Sequence, residues 1–259
     1  MKKTKALRIV LSVIFILIFA FSCYKIVTQL LEENDSKNLY NEIIDDAVLE
    51  LPINQSQVSD TTEPEPPAVP ITVDFEKLKV KYPDIIGWLY SPDTKINYPV
   101  VLGQSNDQYL YNMPSGEPNK SGSIFADVRN LPFNEARNFI IYGHNMKNKT
   151  MFGTLDDYRK TGYYEKHPVM YYLTPDKAYR LEIYSGFITE AGSYVYTFQH
   201  TEKSLSDFMN KIKRKSTFSS PVKYEEGDNI MTLSTCSYET EDSRYVVVAI
   251  LKEIPKEEK

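Results

Sequence analysis

A mainly β fold, closed or nearly closed into a barrel and carrying added helices, is predicted by three features of this sequence. Eight short segments are β-branched or aromatic: residues 87–90, 96–101, 123–126, 138–142, 169–173, 179–185, 229–235 and 244–251. Gly, Pro, Asn and Asp punctuate the intervals between them, and many short strands at this spacing suit a barrel. The chain has 259 residues, 42% hydrophobic and 25% charged, enough for one substantial globular domain with appendages.

The first element is apolar. Ile9 to Val27 is broken only near its end by Lys25, has the length of a membrane-crossing helix, and lets Lys25 snorkel to the interface. Lys2, Lys3, Lys5 and Arg8 precede it, so the expected topology is a single-pass cell-membrane protein, N-terminus cytoplasmic and the remainder extracellular. A cleaved signal peptide is the rival reading, and Ala20-Phe21-Ser22-Cys23 hints at a lipoprotein site; Phe21 suits such a site poorly and no A-x-A follows.

Next, Leu39, Ile43, Ala47 and Leu51 recur at helical spacing behind Asp35 or Ser36, which predicts an amphipathic helix. Pro64, Pro66, Pro67 and Pro70 then mark a connector from Pro52 to Pro70. The expected organisation is tail and anchor over 1–30, helix and connector over 31–70, and a compact domain over 71–259. That domain opens with a short helix capped at Asp74, carrying Phe75 and Leu78 and stopped before Pro83. Helical interruptions of the strand series are predicted at Thr150 to Tyr158 and at Ser204 to Lys215. In the latter, Ser204 and Asp207 make a capping box and Leu205, Phe208, Met209 and Ile212 form one apolar face.

A net charge of −5 argues against a nucleic-acid partner, and the basic run Lys211 to Lys215 reads as a solvated helix end. Of the 2 cysteines, Cys23 lies in the apolar segment, which leaves Cys236 alone in the exported part, where cysteines usually pair. A buried inert thiol is the bland account of such a residue.

Cys236 ends the strand-like run Asn229 to Thr235, and Arg244 opens the next. If the two pair as a hairpin across Ser237 to Ser243, a symmetric register sets Cys236 opposite Arg244, with Cβ atoms about 5 Å apart on one face. A one-residue slip would separate them. His144, after Asn138 to Gly143, must come from a separate strand. Taken singly, Arg244 is a strand-start cation and His144 a hydrogen-bonded loop residue. Together they favour the thiolate, the attacking form of cysteine. Attack on an amide carbonyl creates an oxyanion, which Arg244 or a backbone N–H near Cys236 would stabilise, and His144 can protonate the departing amine. Acyl transfer through a thioester is the reaction this set supports, to water or to an amine. His167 and His200 read as ordinary exposed histidines. Neither a Cys/His metal spacing nor a Gly-rich phosphate loop occurs.

Thr232-Leu233-Ser234-Thr235-Cys236, the following strand opened by Arg244, and the upstream Tyr142-Gly143-His144 resemble the sortases over roughly Ile71 to Leu251. Class B is most similar: extra N-terminal helices match Asp35 to Leu51 and Asp74 to Lys81, and a helix-containing insertion between the sixth and seventh barrel strands matches Thr189 to Tyr224. The pilin-polymerising class C is less similar, having a C-terminal membrane span and an aromatic lid motif. Some class B enzymes carry an acidic residue after the cysteine, where this chain has Ser237, and a longer cysteine-to-arginine spacing.

The resemblance implies an eight-stranded barrel and a membrane-anchored cysteine transpeptidase. In it Cys236 attacks the carbonyl after a sorting-motif threonine of surface proteins, His144 is acid and base, and Arg244 positions substrate and steadies the oxyanion. Asn106, Leu110, Tyr142 and Ser234, with Thr235 beside the cysteine, match positions along the class B peptide groove. It further implies a cell-wall precursor amine as acceptor and no metal or other cofactor. Papain-like peptidases use similar atoms but place cysteine before histidine, and the caspase-type order lacks its QAC signature here. An extracellular cysteine peptidase or peptidoglycan hydrolase is the alternative. A noncatalytic wall-binding module, using some of the 20 tyrosines as stacking platforms, is the second.

Overall fold

The structure, a computed structural model, describes residues 2–50, 69–130, 137–198, 200–237, 240 and 242–255. Two compact units divide at Asn41/Glu42. The first is helical, part of α1 (Lys2–Ala47), and carries, among the described residues, a stretch apolar enough to cross a membrane.

In the second unit, β1 (Val48–Glu50) and β2 (Ile71–Val73) form a small antiparallel sheet, followed by α2 (Phe75–Lys81). The barrel strands are β3 (Ile85–Tyr90), β4 (Asn97–Val101), β5 (Ile124–Ala126), β6 (Asn138–Tyr142), β7 (Val169–Leu173), β8 (Ala178–Glu190), β9 (Asn229–Cys236) and β10 (Ser243–Ile254). They close in the order β10-β8-β7-β3-β4-β5-β6-β9, so the eight predicted segments are the eight staves. Only β4–β5 and β6–β9 are parallel neighbours. A 3-10 turn spans Leu155–Arg159, α3 spans Tyr163–Lys166, and α4 (Glu202–Lys215) lies in the long connection between β8 and β9, the sixth and seventh staves.

Asp74 caps α2 as predicted, its carboxylate accepting from Lys77 N–H at 2.9 Å, and Phe75 and Leu78 are buried. The helix predicted to start at Asp35 or Ser36 has no separate start. No Gly or Pro interrupts residues 9–47, so the backbone ladder of α1 runs through both potential caps. It ends at Ala47 instead of Leu51, because Val48–Glu50 pairs with Ile71–Val73. Leu51 and most of the predicted connector, 52–68, lie outside the described residues. Thr201, not Ser204, caps α4: its hydroxyl accepts from Ser204 N–H at 3.2 Å, and Glu202 and Lys203 make up the first turn. The helix expected over Thr150 to Tyr158 reduces to the 3-10 turn.

One face of α4 buries Leu205, Phe208, Met209 and Ile212 against Ile230, Val246, Val248 and Ile250. Each such side chain contributes roughly 1.5–3 kcal/mol. Alternate residues of a strand share a face, so α4 covers the outward face of β9 and β10 that, further along, also carries Ser234, Cys236 and Arg244.

Candidate active site

Three strands bring the three candidate side chains together: Cys236 ends β9, Arg244 stands at the start of β10, and His144 follows β6. The β9–β10 ladder pairs Arg244 with Cys236 directly, the symmetric register. On the other side of β9, the parallel ladder with β6 pairs Tyr142 with Ser234 and continues as Gly143 N–H donates to Ser234 O at 3.2 Å. His144 and Cys236 are each two residues beyond that pair, hence level and on the same face. The Thr235 hydroxyl donates to Gly143 O at 2.8 Å, and Asn145 Nδ2 donates to Cys236 O at 2.8 Å, so the histidine loop is tied to the cysteine backbone from both sides. A Cβ on Gly143 would lie 2.5 Å from Ile124 Cδ1 and 2.9 Å from the Phe152 ring; only glycine admits that approach.

His144 Nε2 lies 2.6 Å from Leu110 O. A carbonyl only accepts, so Nε2 carries a hydrogen in this contact, which does not engage Nδ1. The Tyr111 ring lies against the imidazole, centroids 5.3 Å apart. Arg244 Nη1 donates to Ser243 O at 3.0 Å. The N–H of Ser237 donates to that same carbonyl at 2.9 Å. The turn therefore engages the backbone donor that follows the cysteine.

Cys236, half-buried and unpaired in a disulfide, opens with His144 and Arg244 into a cavity of about 530 Å3. Asn106, Leu110, Tyr142, Ser234 and Thr235 line it too, so all eight candidate residues meet there. Thr235 is buried with its hydroxyl committed to Gly143, which leaves that hydroxyl a structural role. Ser234 Oγ is 2.9 Å from Tyr196 OH. His167 and His200 stand outside this cavity; both are half-buried rather than exposed, each ring 3.3 and 3.1 Å from a carbonyl, of Pro92 and Thr197 respectively. The basic end of α4 is solvated as expected: Lys211, Lys213, Arg214 and Lys215 are all exposed, with Lys211 Nζ 3.6 Å from the Tyr194 ring centroid and Lys213 Nζ donating to Val222 O at 2.9 Å.

Sequence reasoning missed Arg129, Tyr194 and Tyr196, which also line the cavity. Burial raises the pKa of Tyr196, which lines the cavity together with Arg244 and Cys236. Burial also pushes up the Asp127 carboxyl, but hydrogen bonds from Arg129 and Tyr142 outweigh it and hold the group below the ordinary range. Asp157, pushed up by burial and pulled further down by Lys149 and Lys160, behaves alike. Depressed folded-state pKa values give stability that is present above about pH 4 and lost as pH falls through the folded values. Thermal melts from about pH 6 to about pH 3 should show a falling Tm, with a shallower fall in Asp127→Asn; equal slopes would contradict this account.

A family profile for the sortase domain matches residues 89–252. Sortase B of Staphylococcus aureus is 33% identical over 252 residues, covering 96% of this chain and 97% of its own. Among solved structures, a Staphylococcus aureus sortase B–substrate complex aligns with TM-score 0.66 at 37% identity, covering 70% of this chain and 85% of that one. A Bacillus anthracis sortase B aligns with TM-score 0.71 at 30% identity, covering 86% and 98%.

Proposed function

This chain belongs to the sortase family, in its B class, and is a cysteine transpeptidase of surface-protein anchoring; from that premise we propose that Cys236, His144 and Arg244 carry its chemistry. Cys236 attacks the carbonyl that follows the threonine of a sorting motif. Arg244 stabilises the tetrahedral oxyanion, and His144 Nδ1 protonates the departing amine, leaving a thioester. The same imidazole nitrogen then takes a proton from an incoming cell-wall precursor amine, which displaces the thiol. Asn106, Leu110, Tyr142 and Ser234 contact the donor peptide, with Thr235 supporting the loop beneath. The observation that carries this reading is the pairing of Arg244 with Cys236, level with His144 on one cavity.

The apolar stretch of α1 is a single-pass anchor with its N-terminus in the cytoplasm, residues 31–70 are the amphipathic helical segment and Pro-rich connector, and 71–259 are the extracellular catalytic domain. The lysine-rich start and the length of the apolar run support this topology.

The test is a panel of peptides carrying Thr-Gly or Thr-Asn junctions, incubated with the full chain in detergent and followed by mass spectrometry. A thioester on Cys236 that an added amine converts to a new amide is expected. Cleavage with no adduct on Cys236 would reject the mechanism, and an adduct released only to water would assign a peptidase.

A further inference from the structure

The short turn after β5 carries a charge cluster outside the reacting trio. Asp127 is fully buried. Its carboxylate accepts from Arg129 Nε at 2.9 Å, Arg129 Nη2 at 2.7 Å, Arg129 N–H at 3.0 Å and Tyr142 OH at 2.9 Å. One residue on, Val128 N–H donates to Asn106 Oδ1 at 3.0 Å. The Arg129 guanidinium carbon stands 4.4 Å from the ring centroid of Phe198, which follows Tyr196 and Thr197 in the connection between β8 and β9. Three walls of the cavity thus lean on one turn: the β4–β5 connection through Asn106, the end of β6 through Tyr142, and the β8–β9 connection through Phe198.

We propose that Arg129 is a positioning residue for the donor peptide: one edge of its guanidinium is pinned by Asp127 while its face carries Phe198, and this holds the Tyr194–Phe198 stretch in place as a wall of the groove. Only arginine suits both tasks, since its planar fork satisfies a carboxylate along one edge and leaves a face for an aromatic ring, whereas a lysine ammonium offers a point charge. An arginine with 57% of its side chain exposed needs such a partner to stay in one place, and a fully buried carboxylate supplies it. Arg129 acts on peptide binding and not on the thiol, because its charge is balanced locally by Asp127.

The proposal rests on reading the cavity as the donor groove. Full-length wild type, Arg129→Ala, Arg129→Lys, Phe198→Leu and the double variant Arg129→Ala/Phe198→Leu are compared in detergent. Measured are KM and kcat for a sorting peptide, the rate of Cys236 alkylation by iodoacetamide, and Tm. Arg129→Ala and Phe198→Leu should each raise KM about three- to tenfold with kcat and alkylation within about twofold, and the double variant should be no worse than the weaker single. Arg129→Lys should recover part of the loss. If Arg129→Ala strands the buried carboxylate and unfolds, Arg129→Lys and Phe198→Leu still decide. Unmoved KM in those two, or additive losses in the double variant, would overturn the proposal. Should wild type form no thioester, the catalytic reading itself fails; an active wild type with unmoved KM in the variants removes only the role of Arg129.

Discussion

Cys236→Ala is expected to lose at least about 10^4-fold in kcat for peptide cleavage and to form no covalent adduct, while its Tm moves by no more than about 2 °C. The chemical half of this expectation follows from Cys236 carrying the only thiol among the described residues that line the cavity, while the neighbouring Ser234 and Thr235 hydroxyls are engaged with Tyr196 and Gly143. The stability half follows from where the sulfur lies. Cys236 ends its strand half-buried, and its backbone pairing with Arg244 and its carbonyl bond from Asn145 survive the substitution. Replacing a thiol by hydrogen at such a position costs about 0.5 kcal/mol or less. Cys236→Ser is the sharper control: it keeps size and polarity but needs an alkoxide, so it too should be inactive. Retained turnover in Cys236→Ala would remove the nucleophile assignment. A Tm collapse alongside lost activity would instead make Cys236 a packing residue.

Why the cysteine and arginine were legible from sequence while other groups were not comes down to range. Hairpin partners with only seven residues between them have a register set by a short turn, so Cys236 and Arg244 were matched by symmetry alone. His144 reaches them through a parallel ladder between β6 and β9, a pairing of strands some ninety residues apart that no local pattern specifies. The strands themselves were visible because β-branched runs are strand-specific. The predicted end of β8 at Ser185 fell short of Glu190 because Gly186 reads as a stop. It is instead a point of close approach: a Cβ there would stand 2.5 Å from Tyr245 OH and 2.7 Å from Phe218 Cε1, so glycine keeps the strand going where a larger residue would push it away. Arg129 and Tyr196 escaped notice for the same reason as the β6–β9 pairing. An Asp-x-Arg step in a turn and a tyrosine in a connection acquire meaning only when the barrel closes and sets the two segments against one cavity.

Arg244→Ala should lower kcat/KM by about 10^2- to 10^3-fold, the cost of removing a principal oxyanion donor, with Tm within about 2 °C of wild type. The guanidinium is half-buried at a strand start, whereas Tyr245 to Ile250 beside it are fully buried and hold β10 in the barrel without it. The Ser237 N–H, the backbone donor directly after the cysteine, is engaged by Ser243 O, which favours the guanidinium as the oxyanion's donor. The role proposed for Arg244 divides into two separable effects, on the thiolate before attack and on the oxyanion during it. Alkylation of Cys236 by iodoacetamide across pH reports only the first, because that reaction has no oxyanion. If the arginine acts chiefly in the transition state, alkylation changes little while peptide turnover falls steeply; if it acts on the thiolate, both fall together. Arg244→Lys restores the charge but not the planar fork held by the Ser243 carbonyl, so it should recover alkylation more fully than turnover. Loss of folding in proportion to loss of rate in both variants would assign Arg244 to the barrel rather than to the reaction.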